Sequence, residues 1–174
     1  MKDNSVIERH IMSVLVDNEP GVLARVIGLF SGRGYNIESL TVSETDPERA
    51  LSRISIVTSG TPMVIEQIKA QLARLVPIHA VRDLTEHDVA IERELALVKI
   101  INHGEERIEA LRIADTFRAR TLDSTLDSFV FEVTGNSSKV DAFVNLMRSL
   151  GSVEVARTGV SAISRGNSID LEAK

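Results

Sequence analysis

The chain has 174 residues, of which 43% are hydrophobic and 26% charged, enough for one medium domain or two small ones with packed cores. A net charge of −5, the lack of a basic run and an aromatic content of 3% argue against a nucleic-acid partner. The absence of cysteine excludes disulfides, thiolate catalysis and cysteine metal sites, and it favours a reducing compartment.

The first half predicts a strand at 11–16 and then a helix that starts after Pro20 and Gly21. Strands at 35–44 and around Ile54 and Ile56 flank a turn at 46–48, and a second helix starts at Pro62, where Thr61 is a suitable cap. A strand at 76–84 closes the unit. The apolar stripe expected to bury the first helix is Val22, Leu23, Val26, Ile27 and Phe30.

The second half repeats this order. Its elements are predicted as a strand at 95–101, a helix at 105–117, strands at 119–124 and 129–133, a helix at 137–150 and a last strand formed by 153–156 and 160–163. Strand, helix, strand, strand, helix, strand is the ferredoxin-like βαββαβ arrangement. We therefore predict an α+β protein with two ferredoxin-like domains at 7–85 and 92–164, followed by a flexible tail at 165–174.

The connection from the first strand to the first helix is the main candidate binding site. Gly21 has no Cβ, so a ligand can approach the amides at the helix start, where the positive end of the helix dipole favours a carboxylate. Asn18 offers both a donor and an acceptor, and Val22 and Leu23 are placed to enclose a small aliphatic group. The ordinary alternative is a turn that has no ligand, because strand-to-helix connections commonly use these residue types.

The second half provides an internal comparison, since its corresponding connection carries Glu105 and Glu106 after Gly104. Two carboxylates in the first helical turn suit the helix dipole but repel an incoming acid. A folding requirement would be met by either connection. The comparison therefore favours the first one as the site for a small acid.

Other site chemistries have little support in the sequence. The four histidines lack metal-ligand spacing and predict surface or capping roles: His10, His79, His87 and His103. The Gly32-Arg33-Gly34 segment follows a helix instead of preceding one, so it is not a dinucleotide fingerprint. Asn136 is expected to cap a helix. With no nucleophile and base pair in view, we predict neither catalytic residues nor a metal site.

The segment 9–26, RHIMSVLVDNEPGVLARV, continues into GLFSGRGYNIESLTV at 28–42. Together they closely resemble the opening of the regulatory, or small, subunit of acetohydroxyacid synthase, also called acetolactate synthase. The resemblance weakens after about residue 84. It implies that the first domain is an ACT domain that pairs its sheet with that of a second copy and binds a feedback amino acid, typically valine, at the junction.

Carried over to this chain, the resemblance implies that Asn18, Gly21, Val22 and Leu23 bind the amino acid from one copy. Asn36 and Ile37 approach it from the other copy. It also implies a regulatory role without chemistry of its own, in which the chain activates a catalytic large subunit in branched-chain amino acid biosynthesis. Thiamine diphosphate, Mg²⁺ and FAD are expected in that partner, and no cofactor is expected in this chain.

The remaining expectations concern partners and location. An ACT module that binds an amino acid but regulates a different partner is the alternative function. Apolar segments fall short of the ~18 to 20 residues that span a bilayer, and the first five residues are polar. We therefore expect a cytoplasmic protein that binds neither membrane nor nucleic acid.

Overall fold

The computed structural model of the protein describes residues 6–86 and 90–166. The predicted α+β fold with two βαββαβ units is confirmed. The first unit contains β1 (Glu8–Asp17), α1 (Val22–Arg33), β2 (Ser39–Asp46), β3 (Leu51–Gly60), α2 (Pro62–Leu72) and β4 (Ile78–Asp83). Its antiparallel sheet has the order β2-β3-β1-β4, so that β1 and β3 are central and β2 is an edge strand.

The second sequence repeat has the same arrangement. Its elements are β5 (Ala90–Ile101), α3 (Glu105–Phe117), β6 (Arg120–Ser124), β7 (Ser128–Gly135), α4 (Ser137–Arg148) and β8 (Ser152–Arg157), followed by a short strand β9 (Ser161–Ser164). The sheet order β6-β7-β5-β8 matches that of the first unit, and β9 also pairs with β5. The bounds of α3 agree with the prediction, because Gly104 before it and Phe117 at its end frame one amphipathic segment.

The first core lies between the first sheet and its two helices. Alternate residues of β1 face the helices, and the core is completed by α1 and α2: Met12, Val14, Val16, Val22, Val26, Phe30, Ile54, Ile56, Ile65, Ile68 and Leu72. The predicted stripe of α1 was too wide, since Leu23 and Ile27 are exposed on the outer side of the helix. Residues 11–16 are buried on both faces, as their apolar run predicts.

The other face of the first sheet carries a smaller apolar cluster formed by Ile11, Val57, Leu84, Val160 and Ala162. The last two come from the chain after β8. By contact, the structure divides into Glu92–Gly159 as one unit and the remaining described residues, including 160–166, as the other. The expected last strand is therefore formed by two separate strands: β8 ends at Arg157, and β9 (Ser161–Ser164) pairs with β5 but belongs by contact to the first unit.

Several element ends differ from the sequence-based prediction. The strand expected at 35–44 begins only at Ser39, and β4 begins at Ile78 because Val76 lies in an exposed turn. The strand expected at 95–101 begins already at Ala90, so part of the polar segment 86–92 that was expected to link the two domains is strand. Residues 87–89 of that segment and 167–174 of the expected tail lie outside the described ranges. These differences lie at loop ends, where local pattern gives the weakest signal.

The two helix caps permit a matched stability test. The Asn136 side chain accepts a hydrogen bond of 3.0 Å from the Lys139 amide, whereas the Thr61 side chain makes no cap hydrogen bond. We expect Asn136→Ala to lower the free energy of unfolding by about 1 kcal/mol, because a helix-start amide loses its partner. Thr61→Ala is expected to change it by less than about 0.5 kcal/mol. Urea denaturation followed by circular dichroism measures both, and equal losses would contradict the cap assignment.

Candidate functional site

The connection between β1 and α1 places a left-handed glycine directly before the first helical turn. Gly21 has φ 87° and ψ −9°, a conformation that glycine adopts without steric cost. A Cβ built on Gly21 would have no neighbouring atom within 4 Å. The approach to this helix start from solvent is therefore open.

The first turn of α1 has amide groups available for an anion. The first helical hydrogen bond runs from the Arg25 amide to the Gly21 carbonyl at 3.1 Å, and the Val22 amide makes a long contact of 3.4 Å with the Glu19 carbonyl. Among the described residues, no backbone acceptor is recorded for the amides of Leu23 and Ala24. The first turn contains no acidic residue, so the positive end of the helix dipole is not neutralised there.

Asn18 links this connection to the end of β2. Its amide donates to the Ala50 carbonyl at 2.7 Å, and its side-chain Nδ2 donates to Oε1 of Glu44 at 2.9 Å. Glu44 was not identified from the sequence, since its position beside Asn18 depends on the pairing of β2 with β3 and of β3 with β1. The carboxylate of Glu44 and the remaining oxygen of Asn18 are acceptors of the kind that bind an ammonium group.

The two apolar residues of the predicted site face different ways. Val22 is only 4% exposed and packs in the first core, so its side chain is not available to enclose a ligand, contrary to the prediction, and only its backbone lies at the helix start. Leu23 is 37% exposed. It is therefore the apolar side chain that this connection presents to solvent.

Asn36 and Ile37 lie near the opposite end of the sheet from Asn18 and Gly21. The Asn36 carbonyl accepts a hydrogen bond of 2.7 Å from Thr58, at the far end of β3, whereas β1 ends opposite Leu51. Thr58 and Leu51 are seven residues apart along β3, which corresponds to a distance of about 23 Å. One chain therefore does not bring all six predicted site residues together.

The corresponding connection in the second unit is filled by its own residues. Asn102 is buried, and its Nδ2 donates to the Glu106 carbonyl at 3.0 Å. Glu105 and Glu106 occupy the first turn of α3 and place two negative charges at the helix start. In contrast to the first unit, this helix start has no exposed asparagine and repels an external carboxylate.

The described histidines form pairs with aspartates. His79 contacts Asp17 at 2.6 Å, His103 contacts Asp127 at 3.2 Å, and His10 Nδ1 contacts Asp83 at 2.6 Å. His87 lies outside the described residues. Within residues 6–86 and 90–166, no group of three or more histidine and acidic side chains is arranged to hold a metal ion.

The cluster around His10 does not have the geometry of a catalytic relay. The Thr85 hydroxyl lies 3.2 Å from His10 Nδ1 and also donates to Asp83, so hydroxyl and carboxylate share one ring nitrogen. A relay needs the nucleophile on one nitrogen and the carboxylate on the other. The second nitrogen, Nε2, is buried without a hydrogen-bond partner in the described part of the chain. The cluster therefore has a structural character.

A groove of about 410 Å³ lies beside α4 and β8 in the second unit, and two of its lining residues, Arg157 and Asp141, are hydrogen-bonded to each other. Arg157 donates hydrogen bonds to the buried Glu94 and to Asp141. The bond to Glu94 raises the pKa of Arg157, burial opposes this effect, and the bond to Asp141 adds to the increase. In the first unit, burial lowers the pKa of Lys69, but its contacts with Glu86 and Glu66 outweigh that effect and raise the pKa above the ordinary value of a lysine. Neither group is poised for proton transfer at neutral pH.

Comparison with known proteins assigns both units. Residues 12–80 match the profile of an AHAS small subunit-like ACT domain, and residues 93–166 match that of the small subunit of acetolactate synthase. The chain is 49% identical over 159 residues to a probable acetolactate synthase small subunit of Archaeoglobus fulgidus, an alignment that covers 91% of this chain and 98% of that protein. The chain belongs to the acetolactate synthase small-subunit family.

Other relatives agree with this assignment. The isozyme 3 small subunit of Escherichia coli is 48% identical over 162 residues, with 92% of this chain and 98% of that protein covered. The crystal structure of the small subunit from Thermotoga maritima superposes with a TM-score of 0.83 at 38% identity, covering 92% and 99% of the two chains. The predicted family and the predicted ACT domain are thus confirmed, and the family assignment also covers the second unit.

No helix within residues 6–86 and 90–166 combines the length and the hydropathy needed to cross a membrane. The apolar faces of these helices are instead directed toward the two cores.

Proposed function

We propose that this chain is the regulatory subunit that activates the catalytic subunit of acetohydroxyacid synthase and makes it sensitive to feedback inhibition by valine in branched-chain amino acid biosynthesis. Family membership supports the assignment to this enzyme. The single observation that carries the binding role is the open helix start at Gly21, which has free amides and no acidic residue in its first turn. The corresponding helix start of the second unit is occupied by its own residues and carries two acidic side chains, so it does not offer such a site.

The proposed ligand is a small aliphatic amino acid bound by its two charged groups. Its carboxylate accepts hydrogen bonds from the amides of Leu23 and Ala24, where the helix dipole adds favourable charge. Its ammonium group lies near the side-chain oxygen of Asn18 and the carboxylate of Glu44, whose Oε1 accepts a hydrogen bond of 2.9 Å from Asn18 Nδ2. The exposed side chain of Leu23 then contacts the aliphatic group.

A second copy of the chain completes this proposed site. Asn36 and Ile37 lie about 23 Å from the Asn18 end of the same sheet by strand length. Antiparallel pairing of two β2 edge strands brings the Ile37 end of one copy beside the Glu44 end of the other, because the pairing direction exchanges the two ends. This geometry supports a homodimer formed through the first domains. We place the first domain at 7–85 and the second domain at 92–164.

Regulation follows if the ligand favours one dimer arrangement over another. Feedback inhibition requires only that the ligand-bound arrangement activates the catalytic partner less well. A coupling free energy of roughly 1 to 3 kcal/mol between the two states is sufficient. Thiamine diphosphate, Mg²⁺ and FAD are proposed to lie in the catalytic partner, and the cytoplasm is the proposed location of the complex.

The function is tested by reconstitution. Acetolactate formation from pyruvate is measured with the purified catalytic subunit alone, with this chain alone and with both together. We expect stimulation only when both are present, and a loss of that stimulation on addition of valine. Turnover by this chain alone, or a catalytic rate that is unchanged by its addition, would contradict the proposal.

The identity of the effector is tested separately. Valine, leucine and isoleucine differ only in the size and branching of a small aliphatic group. Calorimetric titration of the purified chain with each of them gives the order of affinity, and we expect valine to bind tightest. Equal heats from all three and from alanine would contradict a site with an aliphatic contact.

A further inference from the structure

The chain passes between the two units twice. The second unit is Glu92–Gly159, so the backbone leaves the first unit after Ile91 and re-enters it at Val160. Gly159, the last residue before re-entry, has φ 84°, a left-handed conformation that suits glycine. Residues 160–164, called here the return segment, are thus joined directly to the end of the second unit.

The return segment is firmly packed in the first unit. Val160 is 2% exposed and Ala162 is 4% exposed. Both belong to the apolar cluster that also contains Ile11, Val57 and Leu84, on the sheet face opposite the helices. The segment therefore moves with this face of the sheet.

Two side chains of β2 hold the backbone of the return segment. The Val160 amide donates to Oγ of Ser39 at 2.7 Å, and the Thr41 hydroxyl donates to the Val160 carbonyl at 3.0 Å. Ser39 and Thr41 are two residues apart, so they lie on the same face of the strand. Both backbone polar groups of Val160 are therefore bonded to an edge strand that, in the described structure, pairs only with β3.

The position of β2 suggests that these two hydrogen bonds have a role in regulation. The strand begins two residues after Ile37, which is expected to contact the effector across the dimer. A shift of β2 on ligand binding is passed through Ser39 and Thr41 to Val160, and from Val160 across one peptide bond to Gly159. We propose that Ser39, Thr41 and the return segment couple effector binding in the first unit to the second unit, an inference that rests on the proposed function.

The direct test removes the two hydrogen bonds in the full chain. In the double variant Ser39→Ala and Thr41→Val, we expect the dissociation constant for valine to stay within about twofold and the catalytic subunit to remain stimulated. The ratio of activity without valine to activity at saturating valine is expected to fall by about fivefold, the lower end of typical allosteric couplings. Circular dichroism and thermal melting establish that the variant is folded.

The matched control is Ser43→Ala. Ser43 lies on the same face of β2, two residues beyond Thr41, and is exposed, and no hydrogen bond of its side chain is recorded in the described structure. Its replacement is expected to leave both valine affinity and inhibition unchanged. A loss of inhibition equal to that of the double variant would show a general effect of β2 substitution and would overturn the proposal.

A second variant tests the coupling without touching any contact. A Gly-Ser-Gly insertion between Gly159 and Val160 leaves the return segment in place but lengthens the connection to the second unit. We expect the same loss of inhibition with valine affinity retained. The same insertion in the exposed turn at Leu126 serves as the control and is expected to be silent.

The outcomes separate this inference from the proposed function. If both variants bind valine normally and are inhibited normally, the coupling role is overturned. If the double variant also loses valine affinity, Ser39 and Thr41 belong to the binding site and the coupling role is overturned too. If the unmodified chain shows no heat with valine, the proposed function fails at that step and this inference falls with it.

Discussion

Gly21→Asp is expected to abolish valine binding while the catalytic subunit is still stimulated. A Cβ at this position has no atom of the described residues within 4 Å, so the new carboxylate has room at the helix start and is expected to take the amides proposed for the ligand. A like charge about 4 Å from the ligand carboxylate costs roughly 4 kcal/mol near a protein surface. That corresponds to a loss of affinity of more than about a hundredfold, since each 1.4 kcal/mol is tenfold.

The matched control for this variant is Gly21→Asn. Asparagine has nearly the same size as aspartate and experiences the same left-handed backbone, but it carries no charge. Calorimetry is expected to show that Gly21→Asn retains clearly more valine affinity than Gly21→Asp. Unchanged affinity in Gly21→Asp would place the ligand elsewhere, and equal losses in both variants would assign the effect to bulk or backbone strain instead of charge.

Gly151→Ala is expected to destabilise the second unit by roughly 2 to 4 kcal/mol. Gly151 lies between α4 and β8, where β8 pairs with the end of β5. A Cβ on Gly151 would overlap the carbonyl oxygen of Ile101 and lie 3.1 Å from Cβ of Asn102. The main obstacle is backbone, which cannot move aside as the end of a flexible side chain does, so the strand pairing itself must shift.

Gly28→Ala is the same chemical change as Gly151→Ala, but it is expected to raise the stability of the protein instead of lowering it. Gly28 lies inside α1, is exposed, and a Cβ there would have no neighbour within 4 Å. Replacing a helical glycine by alanine in open space is expected to stabilise by about 0.5 to 1 kcal/mol. Differential scanning calorimetry measures both variants. A Gly151→Ala protein as stable as the parent would contradict the close approach of Gly151 to Ile101.

Local sequence signals predicted the fold because both repeats are marked clearly. Pro20 with Gly21 and then Gly34 frame α1, an apolar run marks β1, and the alternation around Ile54 and Ile56 marks β3. The prediction was less accurate where three-dimensional packing decides. Leu23 and Ile27 fit the helical period of the stripe but lie beyond the area that the sheet covers, so they remain exposed.

The parts that could not be predicted depend on contacts between distant residues. Residues 160–163 have a strand pattern that is equally compatible with either unit, and only tertiary packing places them on the first. Glu44 reaches Asn18 through the registers of two strand pairs, which no local pattern contains. The Gly21 connection was recognisable from residue types alone, but the exposure of Leu23 beside the buried Val22 was not, because helical period does not tell which of two adjacent apolar residues faces the core.

The apolar cluster behind the first sheet has a practical consequence for dividing the protein into fragments. A clone that stops after β4 retains the strand order of the ACT domain but leaves Ile11, Val57 and Leu84 without Val160 and Ala162 above them. Uncovered aliphatic surface of this kind promotes association between molecules. An expression fragment of this domain therefore needs residues 160–166 fused after its own last strand. The fragment then contains the residues that pack together in the structure, although they are distant in the sequence.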